Sequence, residues 1–226
     1  MESLLSSLKL NISSCLYLKD PESSELGHKI LSKSIEMIHE LGIESFNFKK
    51  LGQQIDSNES SIYRYFENKY RLLQYLSAMY WGIIEYRLVI ETNAIEDCSK
   101  KLLMAIKILT LKPKGIDSYS DFDQLKLRDI IIEEFTKSYH HKDIDSDNED
   151  GNFKIYKRLI LRIVEMINNV DPSYNFPKAL ACHIVEGALQ QYYIQRHFKS
   201  LTDRKAETQV YKFYKDMILK VLNPKH

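Results

Sequence analysis

Glycine and proline are scarce in this chain, with seven and five residues in 226. Tight turns and strand bends depend on them, so their scarcity argues against a turn-rich sheet protein. The three cysteines, Cys15, Cys98 and Cys182, are far apart and odd in number. With no C-x-x-C spacing they point away from a disulfide framework or a zinc site and towards a reducing compartment. No apolar run reaches the about 18 residues that a membrane helix requires, and the first residues lack the basic start and cleavage site of a secretory signal. A cytoplasmic location is expected. One sign of charge does not dominate either: 32 Lys and Arg stand against 31 Asp and Glu. Bulk electrostatics therefore do not announce a nucleic-acid partner.

What the chain does have is abundant Leu, Ile, Lys and Glu, a balance that favours long helices. Apolar residues recur at helical spacing in residues 25–41, where Gly42 offers a left-handed stop. Asn47 is placed to cap a short helix over 48–55, and Asp56, Ser57 and Asn58 form a polar turn before a second short helix over 58–66. Residues 69–91 read as one long helix with a broad apolar stripe. Further helices are expected over 95–111, 122–139, 153–170, 177–198 and 203–222, separated by Pro113 with Gly115, by the acidic stretch 143–151, and by Asp171 to Pro177. No strand-period segment competes with them. The fold class is all-α, divided into an extension (1–22), a three-helix helix-turn-helix domain (23–70) and a helical ligand-binding and dimerisation domain (71–226), with the long helix joining the last two.

The short helix after the turn carries the chemistry. At about 100° per residue, Ile62 and Phe66 share a face, where Leu51 and Ile55 can seal a small core with them. The other side presents Ser60, Ser61 and Arg64, with Glu59, Tyr63 and Tyr65 on the flanks. Small hydroxyls let the start of a helix enter a major groove, its free amides attract phosphate, and arginine can read guanine or bind phosphate.

Residues 51–73, above all the run Tyr63-Arg64-Tyr65-Phe66 followed by Lys69 and Leu72-Leu73, resemble the DNA-binding signature of the TetR (tetracycline-repressor) family. The resemblance covers residues 24–73 by motif and the remainder by helix count. It implies a homodimeric transcriptional repressor that reads a palindromic operator. It also implies DNA contacts by Asn47, Asn58, Glu59, Ser60, Ser61, Tyr63, Arg64, Tyr65 and Lys69, with Tyr63, Tyr65 and Lys69 on phosphates. Where the family has Gly-Val in the turn and Ala before it, this chain has Asp56-Ser57 and Gly52. Between Glu22 and Tyr80 seven basic residues meet eight acidic ones, while from Asn47 to Leu72 the balance is five against three. Any positive patch is local.

The rest of the chain offers softer signals. The acidic stretch fails as a calcium loop, because counting from Asp143 puts Asn148 where glycine belongs and Lys154 where the bidentate glutamate belongs. A solvated loop is expected there. His140-His141 are adjacent, so on a helix they point apart. Tyr86, Tyr156, Met166 and His183 are offered as lining a site for an apolar or aromatic effector. An apolar stripe of Val210, Phe213, Tyr214, Met217 and Ile218, with Gly187 and Ala188 permitting close approach, is the expected dimer surface. Recognisable catalytic triads, paired carboxylates and phosphate loops are lacking, so the chain reads as a non-enzyme without a cofactor. The competing reading is an all-helical dimeric interaction module that does not bind DNA.

Overall fold

The computed structural model describes residues 10–112, 122–139, 142–203 and 208–222. The described residues form ten α-helices and no strand. They are α1 Glu25–Ser45, α2 Phe48–Gln54, α3 Glu59–Tyr63, α4 Lys69–Thr92, α5 Cys98–Thr110, α6 Gln124–Tyr139, α7 Ile144–Glu149, α8 Lys154–Val170, α9 Pro177–His197 and α10 Thr208–Val221. The Pro113–Gly115 breaker, the His140-His141 pair and residues 204–207 of the expected last helix lie outside the described residues. No helix among the described residues is long and apolar enough to cross a membrane.

Caps set the helix starts. Side-chain oxygens of Ser24, Asn47, Asn58 and Asp97 accept backbone N–H groups in the first turns of α1, α2, α3 and α5. Each satisfies a donor that a helix start leaves orphaned. Asn68 serves α4 twice, its Oδ1 accepting from the N–H groups of Tyr70 and Arg71 at 2.9 Å each. Gly42 takes φ +73°, as its position in the sequence predicts, but the chain makes one more turn and leaves α1 only after Ser45.

The described residues divide into two compact units. The first comprises those of 1–82 and 114–155. Here α6 packs along α1, with Ile30, Ile35, Ile38, Leu127 and Ile131 buried. Trp81 is also buried and donates from Nε1 to the Tyr139 hydroxyl at 2.9 Å. The second comprises those of 83–113 and 156–226. There α9 and α10 pack on α5, burying Ile106, Leu109, Ile184, Ala188, Tyr214 and Ile218.

The acidic stretch departs from the expectation of a solvated loop. Six of its residues form α7, and Asp147 turns inward. Its Oδ1 accepts from Arg71 Nη1 at 2.7 Å and its Oδ2 from Gln74 Nε2 at 2.9 Å. A half-buried cation and a buried amide of α4 hold this carboxylate, which composition could not reveal. In the second unit Glu85 is buried in a similar way, with Arg158 donating two hydrogen bonds (2.6 and 2.5 Å) and Arg162 one (2.8 Å). Burial pushes the Glu85 carboxyl up, but hydrogen bonds and charge from the two arginines outweigh it and leave the group below the usual carboxylate range.

Candidate nucleic-acid interface

α2 and α3 pack against each other across the turn Ile55–Asn58. Asp56 takes the left-handed conformation there, at φ +51°. Aspartate tolerates that region better than most residues, so it does the work of a turn glycine. Gly52 is required by the same turn, since a Cβ on it would come within 2.7 Å of the Ser57 carbonyl oxygen. The close approach of α2 to the turn thus accounts for glycine where the resemblance leads one to expect alanine.

α3 is shorter than the expected 58–66, ending at Tyr63, and the inward and outward positions separate across it and the turn that follows. Ile62, Phe66 and Leu51 are fully buried; Ile55 is half-buried. Asn47, Asn58, Ser60, Tyr63 and Arg64 are exposed, and Glu59 and Ser61 are half-exposed. Tyr63 stands against Phe48, with ring centroids 5.0 Å apart at 71°, so its ring is braced while 46% of its surface is open.

Asn58 organises the tip. Its Oδ1 accepts from the Ser61 N–H at 2.8 Å and from the hydroxyls of Ser60 and Ser61 at 2.7 Å each. Both serines therefore spend their proton on Asn58 and offer lone pairs outwards, a pattern suited to accepting from the amino groups of adenine or cytosine. Arg64 is the complementary donor on the same surface.

Two residues expected on this surface are turned away from it. Tyr65 is only 3% exposed, and its hydroxyl lies 2.8 Å from Ser24 Oγ and 3.1 Å from Lys19 Nζ. The hydrogen bond with Ser24 and the charge of Lys19 hold the phenol below its ordinary value, against the upward push of burial. Lys69 donates to the carbonyls of Ile43 (2.9 Å), Glu44 (3.0 Å) and Phe46 (3.5 Å). It caps the broken end of α1, where carbonyls have lost their helical partners. In both cases the motif gives a residue type and a position, but the neighbours that capture it are distant in sequence.

The other expected sites are scattered. A cleft of about 200 Å³ in the second unit is lined by Leu88, Thr92, Lys101, Arg162, Glu165 and Met166, among others. Of the four residues offered for an effector only Met166 lines it. Tyr86 is half-buried elsewhere, the Tyr156 hydroxyl donates to Glu186 Oε1, and His183 is exposed with its ring 6.1 Å from that of Tyr214. Of the expected dimer surface, Ala188, Val210, Tyr214 and Ile218 are already covered within the chain. Gly187 lies under the Tyr214 hydroxyl, Met217 is half-buried and Phe213 is 49% exposed. Among the described residues no cluster of His, Cys, Asp and Glu could hold a metal ion.

No family model and no curated protein matches the sequence. Solved structures do match the fold. The regulator AibR, solved with isovaleryl coenzyme A and operator DNA, is 16% identical over 87% of this chain and 97% of its own, with a TM-score of 0.58. The fatty acid degradation regulator FadR from Bacillus halodurans is 18% identical over 84% of this chain and 93% of its own, also at 0.58. A regulatory protein in the tetR family from Rhodococcus RHA1 is 13% identical over 90% of this chain and all of its own, at 0.60. At such identities the likeness is one of architecture, and the chain has the all-helical fold of the TetR-family regulators.

Proposed function

We propose that this chain is a sequence-specific DNA-binding transcriptional regulator: a homodimeric, ligand-responsive repressor of a palindromic operator. The observation that carries the reading is the division of α3 and the turn that follows it, with Ile62 and Phe66 sealed inside while Ser60, Tyr63 and Arg64 are exposed and Ser61 half-exposed. A trihelical cap with only a structural role has no need of an outward hydroxyl pair beside an arginine and a braced tyrosine. Residues 23–70 would act as the reading domain and 71–226 as the ligand-binding and dimerisation domain, with α3 entering the major groove end-on. Ser60, Ser61 and Arg64 would meet base edges or phosphates, and Asn47 and Tyr63 phosphates.

Dimerisation would use what α10 leaves open, namely Phe213, Met217 and Val221 spaced four apart on its outer face. The effector would be a small molecule with an apolar body and a polar handle, seated in the cleft between Met166 and the charged trio Lys101, Arg162 and Glu165. Its binding would favour a conformer whose reading helices no longer match the groove spacing, and α4 would carry the shift since it runs unbroken from Lys69 to Thr92.

The test is a gel shift on duplex DNA from upstream of the protein's own gene at low salt, with Arg64→Ala and Tyr63→Ala alongside. Wild type should retard the duplex, and Arg64→Ala should weaken binding by about 1–3 kcal/mol. A wild-type chain that retards no duplex would leave the interaction module as the better reading.

A further inference from the structure

The segment before α1 lies outside the helix-turn-helix, yet it is fastened to the end of the reading helix. Ile12, Leu16 and Pro21 are buried in the first unit. Leu10 fills the space over Gly82, where a Cβ would sit 2.9 Å from its Cδ2. Pro21 lies directly on Gly27, where a Cβ would come 2.0 Å from its carbonyl oxygen. The Tyr17 ring meets Tyr75 edge-on at 6.0 Å, and Tyr75 in turn meets Phe66 at 5.4 Å. Finally the Leu18 N–H donates to the Tyr65 carbonyl at 2.8 Å, satisfying an oxygen that the end of α3 leaves open.

This path delivers one charge to a particular place. Lys19 is exposed, with its ammonium 4.9 Å from the centre of the Tyr65 ring and 3.1 Å from its hydroxyl. A tyrosine face attracts a cation, so the ammonium is held rather than free to wander. Among the described residues only one of its three protons is engaged and no carboxylate pairs with it. The nearby Asp20 carboxylate is turned to the Glu22 N–H at 3.0 Å. Next in sequence to Tyr65 stands Arg64, exposed on the reading surface.

From this we infer that the N-terminal segment is a second DNA-binding element, in which Lys19, seated on Tyr65, contacts a backbone phosphate beside the groove that α3 enters. The tyrosine is the seat and the lysine is the contact. Phosphate is the ligand that fits, since an ammonium with two free protons is a point charge with no bidentate geometry for reading a base. The contact also matters for a domain without a basic surplus, where each correctly placed cation is a large share of the attraction.

This inference rests on the DNA-binding reading, and the experiment separates the two. Fluorescence anisotropy with the full chain and a labelled upstream duplex is run from about 50 to about 200 mM salt. Wild type, Lys19→Gln, Lys19→Arg, Tyr65→Phe and Arg64→Ala are compared, each checked for its melting temperature. Loss of one phosphate contact lowers the salt slope by about 0.9, so the advantage of wild type over Lys19→Gln should shrink about 3.5-fold across that range. The loss should be similar on the upstream and on a scrambled duplex, and Lys19→Arg should restore it. Tyr65→Phe keeps the charge, so its slope should match wild type. If wild type binds and Arg64→Ala does not, but Lys19→Gln keeps the wild-type slope, the inference is overturned and the DNA-binding reading stands. If Lys19→Gln lowers the melting temperature and leaves affinity and slope at wild type, Lys19 is a structural bolt and the inference falls. A wild type that binds no duplex overturns both.

Discussion

Removing the carboxylate of Asp147 tests whether the acidic stretch is the buried anchor described above. Its side chain is 3% exposed and holds two groups of α4: the Arg71 guanidinium, 27% exposed, and the buried Gln74 amide. Hydrogen bonds to charged groups contribute about 1.5–3 kcal/mol each, and breaking a buried pair from one side costs about 3–5 kcal/mol. Arg71 can turn part of its charge to water, which places Asp147→Ala near the low end, at about 3 kcal/mol. Gln74 Nε2 would lose its 2.9 Å acceptor and keep the longer contact of 3.4 Å to the Ser138 carbonyl, while its Oε1 still accepts from Arg71 Nη1 at 3.0 Å. For a chain of this size the melting temperature should fall by about 6–12 °C. Asp147→Leu combined with Arg71→Met should recover much of the loss, because replacing both members of a buried pair leaves no uncompensated charge. Thermal unfolding followed by circular dichroism reads each variant. An Asp147→Ala protein that melts within about 2 °C of wild type would refute the reasoning, since a solvated acidic loop predicts that outcome.

Two further perturbations follow from the second unit. The folded Glu85 carboxyl sits below its unfolded value of about 4.3, so its stabilisation is present above that pH and is lost as pH falls through the folded value. The gap in melting temperature between wild type and Glu85→Gln should therefore be full at neutral pH and narrow in acid, and a gap that stays constant from pH 6 to about pH 3 would contradict the assignment. At Gly187 an added Cβ would lie 2.2 Å from the Tyr214 hydroxyl, whose own bond to the His183 carbonyl is 3.3 Å. Gly187→Ala should lose about 1–3 kcal/mol to overpacking, offset by the about 0.5–1 kcal/mol that alanine gains in a helix. Adding Tyr214→Phe removes the obstructing oxygen and should bring stability in urea back to wild type or above, whereas a double variant no better than the single one places the strain elsewhere.

Local rules made much of this molecule readable from its residues. Helical spacing located α4 to α6, α8 and α9 to within a few residues of both ends, and α10 at its C-terminal end, because each buries a stripe that repeats with the helix. Side chains that cap their own helix, such as Asn47 and Asn58, act within three residues and were equally legible. The residues that resisted reading make their decisive contact far along the chain. Tyr65 is captured by Ser24, Lys69 by the carbonyls near Gly42, and Asp147 by Arg71 and Gln74, separations of 41, about 25 and over 70 residues. A polar residue on an amphipathic pattern reads as outward unless its partner is known. The expected dimer stripe is ambiguous for the opposite reason: Val210, Tyr214 and Ile218, which carry its pattern, are covered by their own chain, and an apolar stripe does not say whether its own chain or a second copy will cover it.

The break in α1 is where these threads meet. With Gly42 at φ +73°, the turn that follows has lost the regular ladder, and its free groups are taken up by side chains from two other helices. Lys69, the first residue of α4, caps the carbonyls, while Glu134 of α6 accepts from the Ile43 N–H at 3.1 Å. Lys137 bridges Glu134 at 2.9 Å and Glu44 at 3.0 Å. α2 and α3 follow directly from this turn, so the orientation of α3, the proposed reading helix, is inherited from a junction that α4 and α6 hold rather than from α1 alone. An uninterrupted α1 ending on a surface cap would insulate α3 from the rest of the unit. A broken one, fastened by an ammonium at one side and a carboxylate at the other, ties the start of α2, and through it α3, to side chains of α4 and α6, a physical link that the proposed ligand response requires.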